Sequence, residues 1–175
     1  KAATLEGAFK AEIVPIAARQ AEGPELNEMH TADEGIRMEA TYEGISGVKV
    51  LREGGFITAA SASQICDGAS GVMVVNEKGL KALGVKPLAR IHHMTVIGGD
   101  PVIMLEAPLP ATHHALKKAG MKIDDIDLFE VNEAFDSVPL AWLQNTHADP
   151  ARLNVNGGAI ALGHPLGASG TKLMT

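Results

Sequence analysis

Aromatic residues are scarce in this chain. Phe, Trp and Tyr make up 3% of its 175 residues, with one Trp and one Tyr. Platforms on which bases or sugars stack are therefore poorly provided for. Cysteine occurs once, at Cys66, which excludes an internal disulfide framework and leads us to expect a reducing compartment, the cytoplasm. Cations are in the minority: 15 Lys and Arg face 21 Asp and Glu, for a net charge of −6. That argues against a broad electrostatic grip on nucleic acid, although a local basic pocket for a phosphate stays open. No apolar run approaches the roughly 20 residues that span a bilayer, so no membrane partner is expected. Two nucleotide signatures are missing as well. "SGTK" (169–172) lacks the order of a phosphate-binding loop, and no G-x-G-x-x-G follows the first strand, which counts against a dinucleotide-binding oxidoreductase.

What remains is ordinary for a globular protein, with 46% hydrophobic and 21% charged residues. The length suits one domain or two small ones. Residues 1–7 read as a helix stopped by Gly7, and "AEIVPI" (11–16) as a short strand whose Pro15 favours a sheet edge. Residues 17–45 are polar and irregular, and read as a long loop, either a flexible excursion or an ordered lid. "EKGLKALG" (77–84) is a short amphipathic helix ending at Gly84. "PLARIHHMTVIGG" (87–99) alternates like a strand. "PLPATHHALKKAG" (108–120) has prolines at its start, lysines in its last turn and a terminal glycine, the pattern of a helix. "DLFEV" (127–131) reads as a buried strand and "DSVPLAWLQNT" (136–146) as a helix with Asp136 at its N-cap. A further strand near 153–155 and a helix from about Pro165 follow. Helices alternating with strands imply an α/β layered fold. The opening lacks an initiator Met and an N-cap, and the strands are too few for a closed sheet. The expectation is a stretch from within a longer chain.

Few groups suit catalysis. The adjacent pairs His92-His93 and His113-His114 diverge on a strand or a helix, so neither chelates alone and no metal is expected. The carboxylates of "DDID" (124–127) read as a solvated turn. Cys66 has no local charge partner and reads as a small buried thiol. "GGAIALGHPLGASG" (157–170) holds five glycines in fourteen positions around His164. Glycine permits close approach of the backbone to a ligand, and Pro165 presets a helical turn after the imidazole. A neutral His164 at a helix start is suited to an oxyanion or to the proton of a thiol, but a structural histidine in a tight loop fits equally well. Asn132 and Glu133, just past an apolar strand, stand where α/β folds collect active-site groups. An Asx turn would also account for them.

"VNEAF" (131–135), followed about twenty residues on by "NVNGGAIALGHPLGASG" (154–170), resembles the thiolase family of acyl-CoA acetyltransferases. "FKAEIVPI", "ASASQICDGASGVMVV" and "APLPATHHAL" extend the resemblance over essentially the whole length. The resemblance implies the thiolase fold, a layered α-β-α-β-α arrangement with mixed five-stranded sheets, incomplete here. It implies that 1–62 belong to a loop domain, 63–86 to the last helix and strand of an N-terminal core half, and 87–175 to the first part of a C-terminal half. By resemblance His164 activates a nucleophilic cysteine and binds the thioester oxygen, and Asn132 holds a water that completes an oxyanion hole with it. Ser63, Ala134 and Phe135 resemble residues along the pantetheine chain, and Gly163 allows backbone approach. The two cysteines of the family, an acyl-carrying nucleophile and a general acid/base in a C-x-G motif, have no counterpart, and Cys66 aligns with neither. The implied activity is thiolytic cleavage of a 3-ketoacyl-CoA to acetyl-CoA and a shortened acyl-CoA, or the reverse condensation. A non-catalytic thiolase-like acyl-CoA or lipid binder is the alternative. Acyl-CoA and CoA are the implied partners, with no cofactor beyond CoA as substrate and a homodimer or homotetramer as the assembly. "TADEGIRMEATYEGISGVKVL" (31–51) looks nearest to thiolases of bulky acyl chains, including steroid side chains.

Overall fold

A computed structural model describes residues 1–175. Its helices are α1 (Ala2–Glu6), α2 (Tyr42–Ser46), α3 (Glu77–Leu83), α4 (Pro108–Ala119), α5 (Ser137–Thr146), α6 (Ala159–Leu162) and α7 (Ser169–Lys172). Two strands, β1 (Ile16–Arg19) and β2 (Glu25–His30), pair antiparallel as a hairpin, with Ile16 opposite His30. The helices with clear chemical punctuation form where expected. Gly7, Gly84 and Gly120 end α1, α3 and α4 at φ of 76°, 64° and 69°, the left-handed conformation that glycine adopts without a Cβ penalty. Asn76 caps α3 by accepting from the Gly79 N–H at 2.9 Å.

Several expectations are corrected. Residues 11–15 are not strand: the Phe9 carbonyl accepts from Glu12 and Ile13 N–H, both at 3.1 Å, which holds a turn. Pairing begins only at Ile16, past Pro15, which has no N–H to give. The 17–45 segment is not one irregular loop but contains the hairpin and α2. Its reversal is closed by the Gly23 N–H on the Gln20 carbonyl at 3.3 Å, and Thr41 caps α2 through the Gly44 N–H at 3.1 Å. Residues 87–99 form no strand, because no neighbouring segment offers them a ladder, and Leu88 and Val96 stand fully exposed. "DLFEV" is reduced to one parallel bridge, Phe129 with Leu153. The expected strand at 153–155 likewise amounts to Leu153 alone.

Asp136 does not cap α5. It stands at the N-cap position, but its backbone is already helical, at φ −57° and ψ −30°, and its side chain makes no hydrogen bond to the first turn. The last helix starts later than Pro165. The Pro165 carbonyl accepts from Ala168 and Ser169 N–H at 2.8 and 3.0 Å, which makes a turn, and α7 begins at Ser169.

The packed core is small. It centres on α5, where Trp142 is 2% exposed and Val138 is buried with it. Trp142 meets Phe129 ring to ring at 4.9 Å between centroids, tilted by 59°. Its indole N–H donates to Thr112 Oγ1 at 2.8 Å, which ties α5 to α4. His113, from one of the histidine pairs, bonds Asn145 Oδ1 at 2.7 Å and strengthens the same seam. This seam carries Phe129, and through it the segment that leads to Asn132.

Candidate active site

Asn132 and His164 lie 32 residues apart in the chain and come together in space. Asn132 Nδ2 stands 3.5 Å from His164 Nε2. Three separate pieces of chain converge to bring this about, and each is held by bonds that can be named.

The first is the segment 129–133. The Phe129 N–H donates to the Arg152 carbonyl and the Asn154 N–H to the Phe129 carbonyl, both at 2.9 Å. Beyond this bridge the ladder is continued by a side chain. Asn154 Oδ1 accepts from the Val131 N–H at 2.8 Å, and Asn154 Nδ2 donates to the Val131 carbonyl at 2.9 Å. Asn154 holds φ at 47°, a region asparagine tolerates better than most residues. The carboxylate of Glu133 then accepts from Asn154 Nδ2 at 2.8 Å and from the Ile160 N–H at 3.2 Å. Burial, and after it the negative charge of Glu133, raise the Glu130 carboxyl above its ordinary value.

The second piece is the strip 61–64. The Ser63 N–H donates to the Ala134 carbonyl at 3.0 Å and the Asp136 N–H to the Ser61 carbonyl at 2.9 Å, around an antiparallel bridge of Ala62 with Phe135. Ser63, Ala134 and Phe135 therefore share one neighbourhood beside Asn132. One residue further, the Gln64 carbonyl accepts from the His164 N–H at 3.0 Å. The Gln64 side chain donates to the Gly35 and Ile160 carbonyls at 3.0 and 3.3 Å. One strip thus joins both motifs to the 31–40 segment.

The third piece is the glycine stretch. Gly163 ends α6 at φ 82° and ψ 161°, conditions that exclude a side chain, and a Cβ there would lie 2.5 Å from Cys66 Sγ. The close backbone approach that this glycine permits is to the Cys66 segment. The last carbonyls of α6, Leu162 and Gly163, accept from Lys172 Nζ at 3.0 and 3.3 Å. Past the imidazole an open cleft of about 420 Å³ runs between residues 66–70 and 165–168, lined by none of Ser63, Asn132, Ala134, Phe135, Gly163 or His164.

The ring nitrogens of His164 are differentiated. Nδ1 lies 2.5 Å from Ser169 Oγ, and Ser169 Oγ lies 3.2 Å from the Pro165 carbonyl. An amide nitrogen can only donate, so the tautomer that matches Asn132 Nδ2 against Nε2 is the one with its proton on Nδ1. In that tautomer Nδ1–H donates to Ser169 Oγ, whose single proton goes on to the Pro165 carbonyl. Every donor in the series then has one acceptor, and the lone pair of Nε2 faces the Asn132 side.

Sequence reasoning named Asn132 and His164 but missed Glu133 as a tie, and missed Asn154, Gln64 and Ser169 altogether. Ser169 had the most accessible signal, a hydroxyl five residues after the histidine across a proline turn.

The family model described as the thiolase N-terminal domain matches residues 1–78, and that of the thiolase C-terminal domain matches residues 85–175. The chain is 51% identical to a steroid 3-ketoacyl-CoA thiolase, FadA6, of Mycobacterium tuberculosis, over 99% of this chain and 41% of that protein. It is 44% identical to a 3-ketoacyl-CoA thiolase of Salmonella typhimurium, over 99% of this chain and 46% of that one. Among solved structures it superposes on the Bacillus anthracis acetyl-CoA acetyltransferase with a TM-score of 0.91 at 36% identity, covering 99% of this chain and 43% of that one. With human mitochondrial 3-ketoacyl-CoA thiolase in complex with CoA the TM-score is 0.85 at 40% identity, covering 99% and 42%. The chain thus spans less than half the length of these relatives. With both domain models matched in order and the fold shared at this level of identity, the chain belongs to the thiolase family.

Proposed function

We propose that these residues form the Asn132–His164 corner of a degradative thiolase active site. The observation that carries this reading is the 3.5 Å approach of the Asn132 amide to the accepting nitrogen of His164. The relatives are more than twice as long, and in this reading the acyl-carrying thiol and the second, acid/base thiol are supplied from outside these 175 residues. We place the boundary between a loop domain and the N-terminal core half near residue 62, and between the two halves near 86.

In this reading His164 Nε2 takes the proton of the nucleophilic thiol. The thiolate attacks C3 of a 3-ketoacyl-CoA, and the C2–C3 bond breaks. The acyl group stays on sulfur, while the electron pair passes to C2 as the enolate of acetyl-CoA, which the second thiol protonates. Having accepted a proton, Nε2 becomes a donor. With a water held by Asn132 Nδ2 it faces the developing enolate oxygen. The second thiol, now a thiolate, takes the proton of free CoA; the CoA thiolate attacks the acyl thioester and leaves as an acyl-CoA shortened by the acetyl unit, while His164 returns its proton to the released nucleophilic thiol. The same steps reversed give the condensation. Identity with a protein named a steroid thiolase supports a bulky acyl chain as the substrate. A cytoplasmic homodimer or homotetramer that uses CoA as substrate and needs no other cofactor completes the proposal.

The test is turnover by the full-length polypeptide that contains these residues. Consumption of a 3-ketoacyl-CoA with CoA, and release of acetyl-CoA, are expected. A steroid side-chain 3-ketoacyl-CoA should give a higher kcat/KM than a straight-chain one. Residues 1–175 alone should give no turnover, and thiolysis by them would overturn the roles assigned here.

The proton arrangement makes a smaller prediction. Ser169→Ala removes the acceptor from Nδ1–H and leaves the ring free to place its proton on Nε2. A fall in kcat of about tenfold is expected, the scale of one hydrogen bond of roughly 1–1.5 kcal/mol. Nitrogen-15 NMR of labelled histidine should report a mixture of tautomers in place of one. An unchanged tautomer would show that Ser169 does not direct it.

A further inference from the structure

The Glu133 carboxylate sits between the two motifs rather than in either reacting group. It faces two donors at once, the Asn154 amide at 2.8 Å and the Ile160 N–H at 3.2 Å. The room for it is made by Gly158, where a Cβ would fall inside the carboxyl group. Gly158 needs no glycine for its backbone, which is extended at φ −128° and ψ −169°. The absence of a side chain there is a matter of space alone. The segments 129–133 and 152–160 are thus zipped in three steps: backbone at Phe129, the Asn154 side chain at Val131, and the Glu133 carboxylate at Ile160. Asn132 lies between the second step and the third. Ile160 belongs to α6, whose end passes directly into Gly163 and His164.

We propose that Glu133, seated against Gly158 and held by Asn154, is a positioning residue that sets the separation between the Asn132 amide and the His164 ring. The inference rests on the thiolase reading above and deepens it. A carboxylate is the group that fits, because both neighbours are donors. Gln would turn its own NH2 toward one of them, and Asp would fall one methylene short.

The test uses the full-length enzyme with a 3-ketoacyl-CoA and CoA. Glu133→Gln should lower kcat by about tenfold with KM within about twofold, since small misplacements of a catalytic pair cost rate more than binding. Gly158→Ala should do the same from the other side, since its methyl group displaces the carboxylate while leaving the charge in the protein. In an Asn132→Ala background, Glu133→Gln should lower kcat by less than about twofold, because its effect passes through the residue already removed. A merely structural role would instead give the same loss in both backgrounds. Full additivity, or wild-type kcat in both Glu133→Gln and Gly158→Ala, would overturn the proposal while wild-type thiolysis keeps the thiolase reading intact. A wild-type enzyme without thiolysis removes both. Should Glu133→Gln fail to fold, Gly158→Ala, alone and combined with Asn132→Ala, carries the same comparison.

Discussion

In the full-length enzyme, His164→Ala is expected to cut turnover by about 10³–10⁴-fold, at the upper end of what a positioned general base supplies. It should also slow alkylation of the nucleophilic thiol by iodoacetamide. The two effects have one origin. A thiol reacts as its thiolate, and an imidazole that accepts its proton raises the thiolate population. The geometry that prepares His164 for this is local. Its N–H is held by the Gln64 carbonyl at 3.0 Å, its Nδ1 by Ser169 at 2.5 Å, and the Gly163 backbone before it takes a conformation closed to other residues. Alanine keeps the backbone bond and loses only the ring. A large loss of stability is therefore not expected, and the melting temperature serves as the control. Wild-type alkylation together with lost turnover would move His164 away from the thiol and leave it only the oxyanion.

The elements that could be read in the sequence are those whose ends are marked chemically. Asn76 and Gly84 bracket α3, and prolines, lysines and Gly120 bracket α4, because caps and left-handed glycines act within a turn of their own residue. Strands carry no such local information. "PLARIHHMTVIGG" has the alternation of a strand, but a strand exists only against a partner, and none lies beside it in these 175 residues. The hairpin was missed for the opposite reason: β2 is mostly polar and exposed and β1 offers only Ile16 and two alanines before Arg19, so no apolar alternation announces it. At the site, Asn132 and His164 were legible through motif resemblance and not through periodicity. Asn154 was not, because its contribution depends on φ 47° and on a side chain standing in for a strand partner. No spacing rule encodes that. Glu133 was in view within "NEAF", but its donors lie 21 and 27 residues away and appear only once the segments are folded together.

Asn132→Ala is expected to lower kcat by about 10²–10³-fold, the range found when one oxyanion donor is removed. Alkylation of the thiol should stay at the wild-type rate. The difference from His164→Ala follows from chemistry. An amide neither accepts the thiol proton nor carries charge, and its 3.5 Å contact with His164 Nε2 is a long one, so its effect on the thiolate population is expected to be small. What it can do is donate, directly or through a water, to an oxygen that becomes negative as the carbon–carbon bond breaks. Its position for that is set twice over, by the Val131 bonds of Asn154 on one side and the Glu133 carboxylate on the other. Single-turnover kinetics separate the steps: carbon–carbon cleavage should slow in Asn132→Ala, while attack of CoA on a preformed acyl-enzyme, in which no enolate develops, should slow much less. Asn132→Asp is the sharper variant. A carboxylate in the same place accepts where the amide donates and repels an enolate, so it should be slower than alanine despite keeping the shape of the residue. If Asn132→Asp retained more activity than Asn132→Ala, the residue would be acting through bulk or through His164 and not as a donor to the oxyanion.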